Sequence, residues 1–245
     1  MEWRDEAIVL ALRPYGESAA IVSLLTAEHG RHAGLARGAG GRRGRALYQT
    51  GNRVQAVWRA RLGDQLGSLS CELIEAHGGR LIEDPRRLAA LSSAAALVEA
   101  ALPEREPHRF LYDRLLGLLR SFQSDERGIR WPEEYVRWEL DLLTELGFGL
   151  DLSRCAVTGA TADLAYVSPR SGRAVSREAA RPYQDRLLPL PEFLGGAGPG
   201  QSDDVARGLA LTGYFLEQHV FSPPKAFPPA RNRLLEVLQH ARGKS

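Results

Sequence analysis

Hydrophobic and polar positions along this chain keep one spacing up to about residue 78 and another after it. In the first stretch the apolar segments are short and divided by turn-forming residues. Positions 7–12 and 19–26 are apolar runs, 31–36 is brief, and 53–61 is rich in Val and Trp. Positions 68–75 alternate, with Leu69, Cys71 and Leu73 set between polar neighbours. Segments of this length and period predict five β-strands. Between the third and fourth lies ARGAGGRRGRALYQTGN, whose front is too glycine-rich for a strand and whose end has room for one helical turn near 45–49. Five short strands with a connecting helix or loop in that place fit an oligonucleotide-binding (OB) type β-barrel.

After Asp84 and Pro85 the period becomes helical. Leu88, Leu91, Ala95, Val98 and Leu102 share one helix face; Leu115, Leu118, Leu119 and Phe122 share a second; Tyr135, Trp138, Leu142 and Leu146 share a third. Pro85 and Pro132 stand where first-turn prolines are tolerated, and Gly147 follows as a stop. Two further helices are predicted over 205–221 and 231–241, separated by SPPKAFPPA, whose prolines force a non-helical crossing. Residues 151–182 interrupt the series as a β-hairpin with arms at 164–167 and 173–176. The glycine-rich patch at 195–200 is the one low-complexity segment. The pattern therefore predicts an α+β chain: an N-terminal five-stranded OB-type barrel over 1–78, then an α-helical domain over 79–245 carrying the hairpin.

Composition is that of an ordinary globular protein, with 44% hydrophobic and 25% charged residues in 245. No run reaches membrane-spanning length, and the acidic start is unlike a signal peptide. Two cysteines make no disulfide framework. A cytoplasmic protein with no membrane partner is expected. The net charge of +2 hides an uneven distribution. Residues 29–63 contain no Asp or Glu, yet carry Arg31, Arg37, Arg42, Arg43, Arg45, Arg53, Arg59 and Arg61. A local positive field of this kind attracts polyanions, and arginine pairs bidentately with phosphate. Arg31, Arg37, Arg42, Arg43, Arg45, Arg59 and Arg61 are therefore the candidate nucleic-acid contacts. Tyr48 is a candidate for base stacking, while Trp58 is expected in the barrel core. His29 and His32, beside this basic segment, are expected to be solvated or DNA-adjacent.

Catalytic chemistry finds little support. The glycines between 38 and 44 miss the dinucleotide-loop spacing by one position and lack the surrounding strand–helix–strand unit. No GK[ST] phosphate loop and no G-x-S-x-G elbow occurs. Glu133 and Glu134 open a helix, where its dipole explains them. Cys155, Thr158, Ser176 and Ala179 stand in the frame of a four-cysteine zinc ribbon, two close pairs with seventeen residues between. Only Cys155 offers a thiolate, so these are vestigial positions and no zinc or other cofactor is expected.

Taken together, EHGR at 28–31, LARGA at 35–39, LGDQLG at 62–67, LTELGF at 143–148 and YVSPRSG at 166–172 resemble the bacterial RecO family of recombination mediators, over nearly the whole chain. The resemblance implies an OB barrel, a helical domain and a small zinc-type hairpin. It also implies binding of single- and double-stranded DNA, annealing of complementary strands, and work with RecR to load RecA onto strands coated by single-stranded-DNA-binding protein, whose C-terminal tail would be a partner. Zinc-bearing members have cysteines where this chain has Cys155, Thr158, Ser176 and Ala179. The nucleoid-associated cytoplasm is the implied location. Two other classes fit the residues alone: a barrel module for RNA, and a non-enzymatic protein scaffold.

Overall fold

The runs at 7–12 and 19–26 do not alternate because both faces of their strands are covered. The computed structural model describes residues 1–63, 65–124, 130–196, 203–223 and 225–242. The end of the glycine-rich patch and Asp64 of LGDQLG lie outside the described residues. β1 (Glu2–Tyr15), β2 (Ala19–Thr26), β3 (Arg31–Ala36), β4 (Arg53–Arg59) and β5 (Ser68–Glu75) form a closed barrel in the order β1-β2-β3-β5-β4. Closure depends on β1. Its first half pairs with β4, from Glu2↔Arg59 to Ile8↔Arg53, and its second half pairs with β2, from Ala7↔Thr26 to Tyr15↔Ala19. A bulge between Val9 and Ala11 bends the strand from one partner to the other. Fourteen residues of strand were legible only as a six-residue apolar run, because the ends of β1 are polar and solvated.

Inside the barrel, Ala7, Val9, Ala20, Val22, Leu24, Ala36, Val54, Ala56 and Leu69 surround Trp58, which is 2% exposed, as expected for a core residue. Small residues on the facing strands leave room for the indole, and its Nε1 donates to the Leu66 carbonyl at 2.9 Å. Gly67 is required beside it. Its φ is +67°, and a Cβ there would lie 2.5 Å from Trp58 Cε2. Ile8, Leu10 and Leu25 point outward from β1 and β2 yet are buried. α2 (Pro85–Ala101) packs against β1, and α3 (Arg109–Ser124) against β2. α2 starts cleanly: Asp84 caps it, accepting from the amides of Arg86 and Arg87 at 3.0 and 3.2 Å, with Pro85 in the first turn. α2 also packs against α7 (Pro229–Arg242) at the far end of the sequence. One compact unit thus comprises residues 1–126 and 228–245.

β5 differs from its alternating pattern. Leu69 is buried, but Leu73 is 50% exposed. β3 meets β5 at a single pair, Leu35↔Ser68, and beyond it β4 is the one strand paired with β5 among the described residues, so the second half of the strand runs past the barrel wall.

Residues 127–227 form the second compact unit. α4 (Trp131–Glu145) packs against α6 (Asp204–Phe215), which continues as a π-helical turn over Leu216–Val220. Trp131, Tyr135, Trp138, Leu142 and Phe215 are buried there. The hairpin arms are β6 (Leu164–Val167) and β7 (Ala174–Ser176), followed by a single turn, α5 (Arg177–Ala180). A third strand, β8 (Leu188–Pro189), pairs with β6 at Tyr166↔Pro189 and Val167↔Leu188. Two residues carry no periodic signal, so β8 could not be read from the sequence. No described helix is long and apolar enough to cross a membrane.

Candidate nucleic-acid interface

The arginine-rich segment is shaped by α1 (Arg42–Leu47), a six-residue helix laid against the barrel. Gly44 permits that approach, since a Cβ would meet Ala39 Cα and the Gly38 carbonyl oxygen, both at 2.5 Å. Leu47 tucks against the core, while Arg42, Arg43 and Arg45 stay exposed. Between α1 and the seam of β3 with β5 lies an open groove of about 550 Å³. Leu35, Leu47, Val57 and Leu69 supply apolar lining; Arg37, Arg43, Arg59, Ser68 and Ser70 supply charge and hydroxyls. Tyr48 and Cys71 lie deeper. Burial raises the Tyr48 hydroxyl pKa and pushes the Cys71 thiol up to about 12, so both are neutral at physiological pH.

The structure divides the arginines of this segment, the predicted contacts and Arg53, into three groups. Arg37, Arg42, Arg43, Arg45 and Arg61 are exposed and form no ion pair among the described residues. Arg59 pairs with Glu2 at 2.8 Å, and Arg53 donates to Glu6 at 3.2 Å. These acids come from β1, directly across or diagonal to the arginines in the antiparallel register, so an acid-free stretch of sequence is partly neutralised in space. Arg31 stands apart. It donates to the Leu102 carbonyl at 2.9 Å and pairs with Glu104 at 3.1 Å, tying β3 to the chain after α2. Tyr48, the candidate for base stacking, is 5% exposed and packs in the barrel core at the floor of the groove.

Of the two histidines, His32 differs from expectation, while His29 keeps a partly exposed side chain. His32 is 6% exposed, its ring edge-on to Trp3 and Trp58 with centroids at 5.0 and 4.7 Å. His29 stacks on Trp3 at 4.5 Å, and its Nδ1 lies 3.0 Å from the buried Asp5 carboxylate. Both are part of the barrel end. Burial, helped by the charge of Arg105, lowers the His32 pKa to about 4. The groove's apolar lining was the feature the charge pattern missed. Ser68, Leu69, Ser70 and Cys71 alternate, but strand periodicity cannot say that an outer face will be roofed by a helix.

In the second unit, the backbone amide of Ser176 donates to Cys155 Sγ at 3.3 Å in a buried setting. Burial raises the thiol, but hydrogen bonds from Ser176 and Thr158 outweigh it and hold Cys155 at about 6. Three of the four frame positions thus meet. Ala179 sits on α5 with only a methyl group. One thiol, two hydroxyls and a methyl do not fit zinc, and no cluster of three or more His, Cys, Asp or Glu side chains suited to a metal occurs among the described residues.

Fold and site together define an OB-type barrel protein with a cationic groove, carrying a helical unit and a small zinc-ribbon-like sheet. The family described as Recombination protein O N terminal matches residues 1–77, and Recombination protein O C terminal matches residues 82–227. The chain belongs to this family of DNA repair proteins. It is 55% identical to DNA repair protein RecO of Rhodospirillum centenum over 244 residues, covering 98% of this chain and 96% of the relative. The protein of the same name from Rhodospirillum rubrum is 53% identical, covering 98% and 97%. That from Caulobacter vibrioides is 51% identical, covering 98% and 99%.

Proposed function

We propose that this protein is a non-catalytic recombination mediator that binds single- and double-stranded DNA through the exposed arginines around α1. It anneals complementary strands and, with RecR, helps load RecA onto strands coated by single-stranded-DNA-binding protein, meeting that protein's C-terminal tail through its helical part. Its place is the cytoplasm, at the nucleoid. The observation that carries this reading is the set of exposed arginines, Arg37, Arg42, Arg43, Arg45 and Arg61, without carboxylate partners among the described residues. Five guanidinium groups free to take phosphate supply sequence-independent affinity and release counterions on binding. Strands whose phosphates are neutralised repel one another less, so complementary bases meet more often.

The test replaces Arg42, Arg43 and Arg45 together by Ala. Single-strand affinity should fall, and the log–log salt slope should flatten by about 0.7 per lost phosphate contact. Annealing of strands coated by single-stranded-DNA-binding protein should slow in parallel. Unchanged binding and slope would remove these arginines from the interface, and a strong preference for RNA over DNA of equal length would move the protein to the RNA-binding class.

A further inference from the structure

We propose that the groove between α1 and the β3–β5 seam seats one unpaired nucleotide, with its base on the apolar lining and its flanking phosphates on Arg37 and Arg43. The inference rests on the DNA-binding reading above and adds a subsite that distinguishes single strands from duplex.

Phosphate contacts alone need only cations on a convex surface. Here Arg37 and Arg43 rim a concavity whose apolar lining is the half-buried Leu35, Leu47 and Val57, with the barrel-core Leu69 at its floor. An exposed apolar hollow between arginines gives nothing to a sugar–phosphate backbone. It suits the flat, weakly hydrated face of a base. A base inside a duplex keeps both faces in the stack, so only an unpaired one can be offered, as when a nucleotide is turned out and held between apolar side chains. The volume of about 550 Å³ lies within the range of small-ligand sites and is of nucleotide scale.

The backbone around the groove supports the same occupant. β3 and β5 pair only at Leu35↔Ser68, which leaves the facing edges of the diverging strands without a strand partner. The hydroxyls of Ser68 and Ser70, which line the groove, can meet the polar edge of a base without specifying which base it is. Among the described residues no carboxylate lines the groove, and the Tyr48 hydroxyl and Cys71 thiol remain neutral through the physiological range, so no described group within it repels a phosphate. Arg59, neutralised by Glu2, closes the rim without adding net charge. A nucleotide held in this way is released when its complement arrives, because stacking in the new duplex claims the base face that the groove holds and pairing claims the polar edge.

The experiment compares, for the full chain, single-stranded oligothymidylate with a strand of equal length made entirely of abasic sugar–phosphate units. Oligothymidylate should bind roughly threefold or more tightly, below what an aromatic platform contributes because the lining is aliphatic. The salt slopes should be equal. Val57→Ser makes the groove polar without touching an arginine; it should bring the two affinities together while leaving the abasic affinity within about twofold, with cooperative thermal unfolding confirming the fold. Arg37→Ala with Arg43→Ala should weaken both strands alike and lower both slopes. Equal wild-type affinities at a normal salt slope would overturn the subsite and leave the DNA-binding reading standing. Failure to bind either strand would overturn that reading itself.

Discussion

Arg43 and Arg59 line the same groove and look alike in sequence, yet their surroundings separate them. Arg59 already has a carboxylate at 2.8 Å, whereas no described acid pairs with Arg43. A phosphate approaching Arg59 must compete with Glu2, so Arg59→Ala should leave the salt slope of single-strand binding nearly unchanged, while Arg43→Ala lowers it by about 0.7. Slopes from titrations at several salt concentrations decide this, and equal losses would contradict the division. The basic character of 29–63 was legible because charge is a local property. Its partial neutralisation was not, because Glu2 and Glu6 come from a strand far away in sequence. His32 gives a second prediction. In the folded chain it stays neutral down to about 4, against an ordinary 6.5. Between those values the unfolded chain binds a proton that the folded chain refuses, so the contribution to stability is full above 6.5 and is lost as pH falls toward 4. Urea midpoints of His32→Leu should depend less steeply on pH across that window, by the equivalent of one proton. An unchanged pH dependence would show that the imidazole finds a charge partner when protonated.

The barrel strands and helices were readable because each repeats its apolar spacing several times over. What single elements could not disclose was their covering. The apolar run of β2 gave the strand, not the helix on its back; the alternation of β5 gave Leu69 correctly and Leu73 wrongly. The hairpin arms were legible from turn residues around Gly172, and β8 was not. Within this small sheet the contacts of Cys155 with Ser176 and Thr158 occupy the place where a ribbon would hold metal. Without metal the hairpin depends on packing of Leu164, Val167 and Val175, all buried, and on this cluster. Purified protein should therefore contain less than one equivalent of zinc by elemental analysis, and chelator should leave its circular dichroism unchanged. The cluster has its own signature. A thiol held at about 6 against an ordinary 9.0 adds stability that is full above 9 and is lost as pH falls through 6. Thiolate absorbance of a Cys71→Ala protein should titrate near 6, and Thr158→Ala should move that midpoint up. A midpoint already near 9 would mean that the hydroxyls do not donate to the sulfur.

At the level of the whole chain, the switch from strand to helical spacing near residue 78 was plain, and so was the non-helical crossing before the last helix. The destination of that helix was not. α7 packs on α2, and nothing local in either sequence encodes a partner so distant. Residues 127–227 are thus a loop between two parts of one folding unit. This has a consequence for the order of events in the cell. A ribosome adding roughly 5–20 residues per second takes on the order of ten seconds to make the intervening unit. Through that interval the face of α2 that α7 will cover is open to water or to a chaperone. The barrel side of the molecule begins translation first and is completed last.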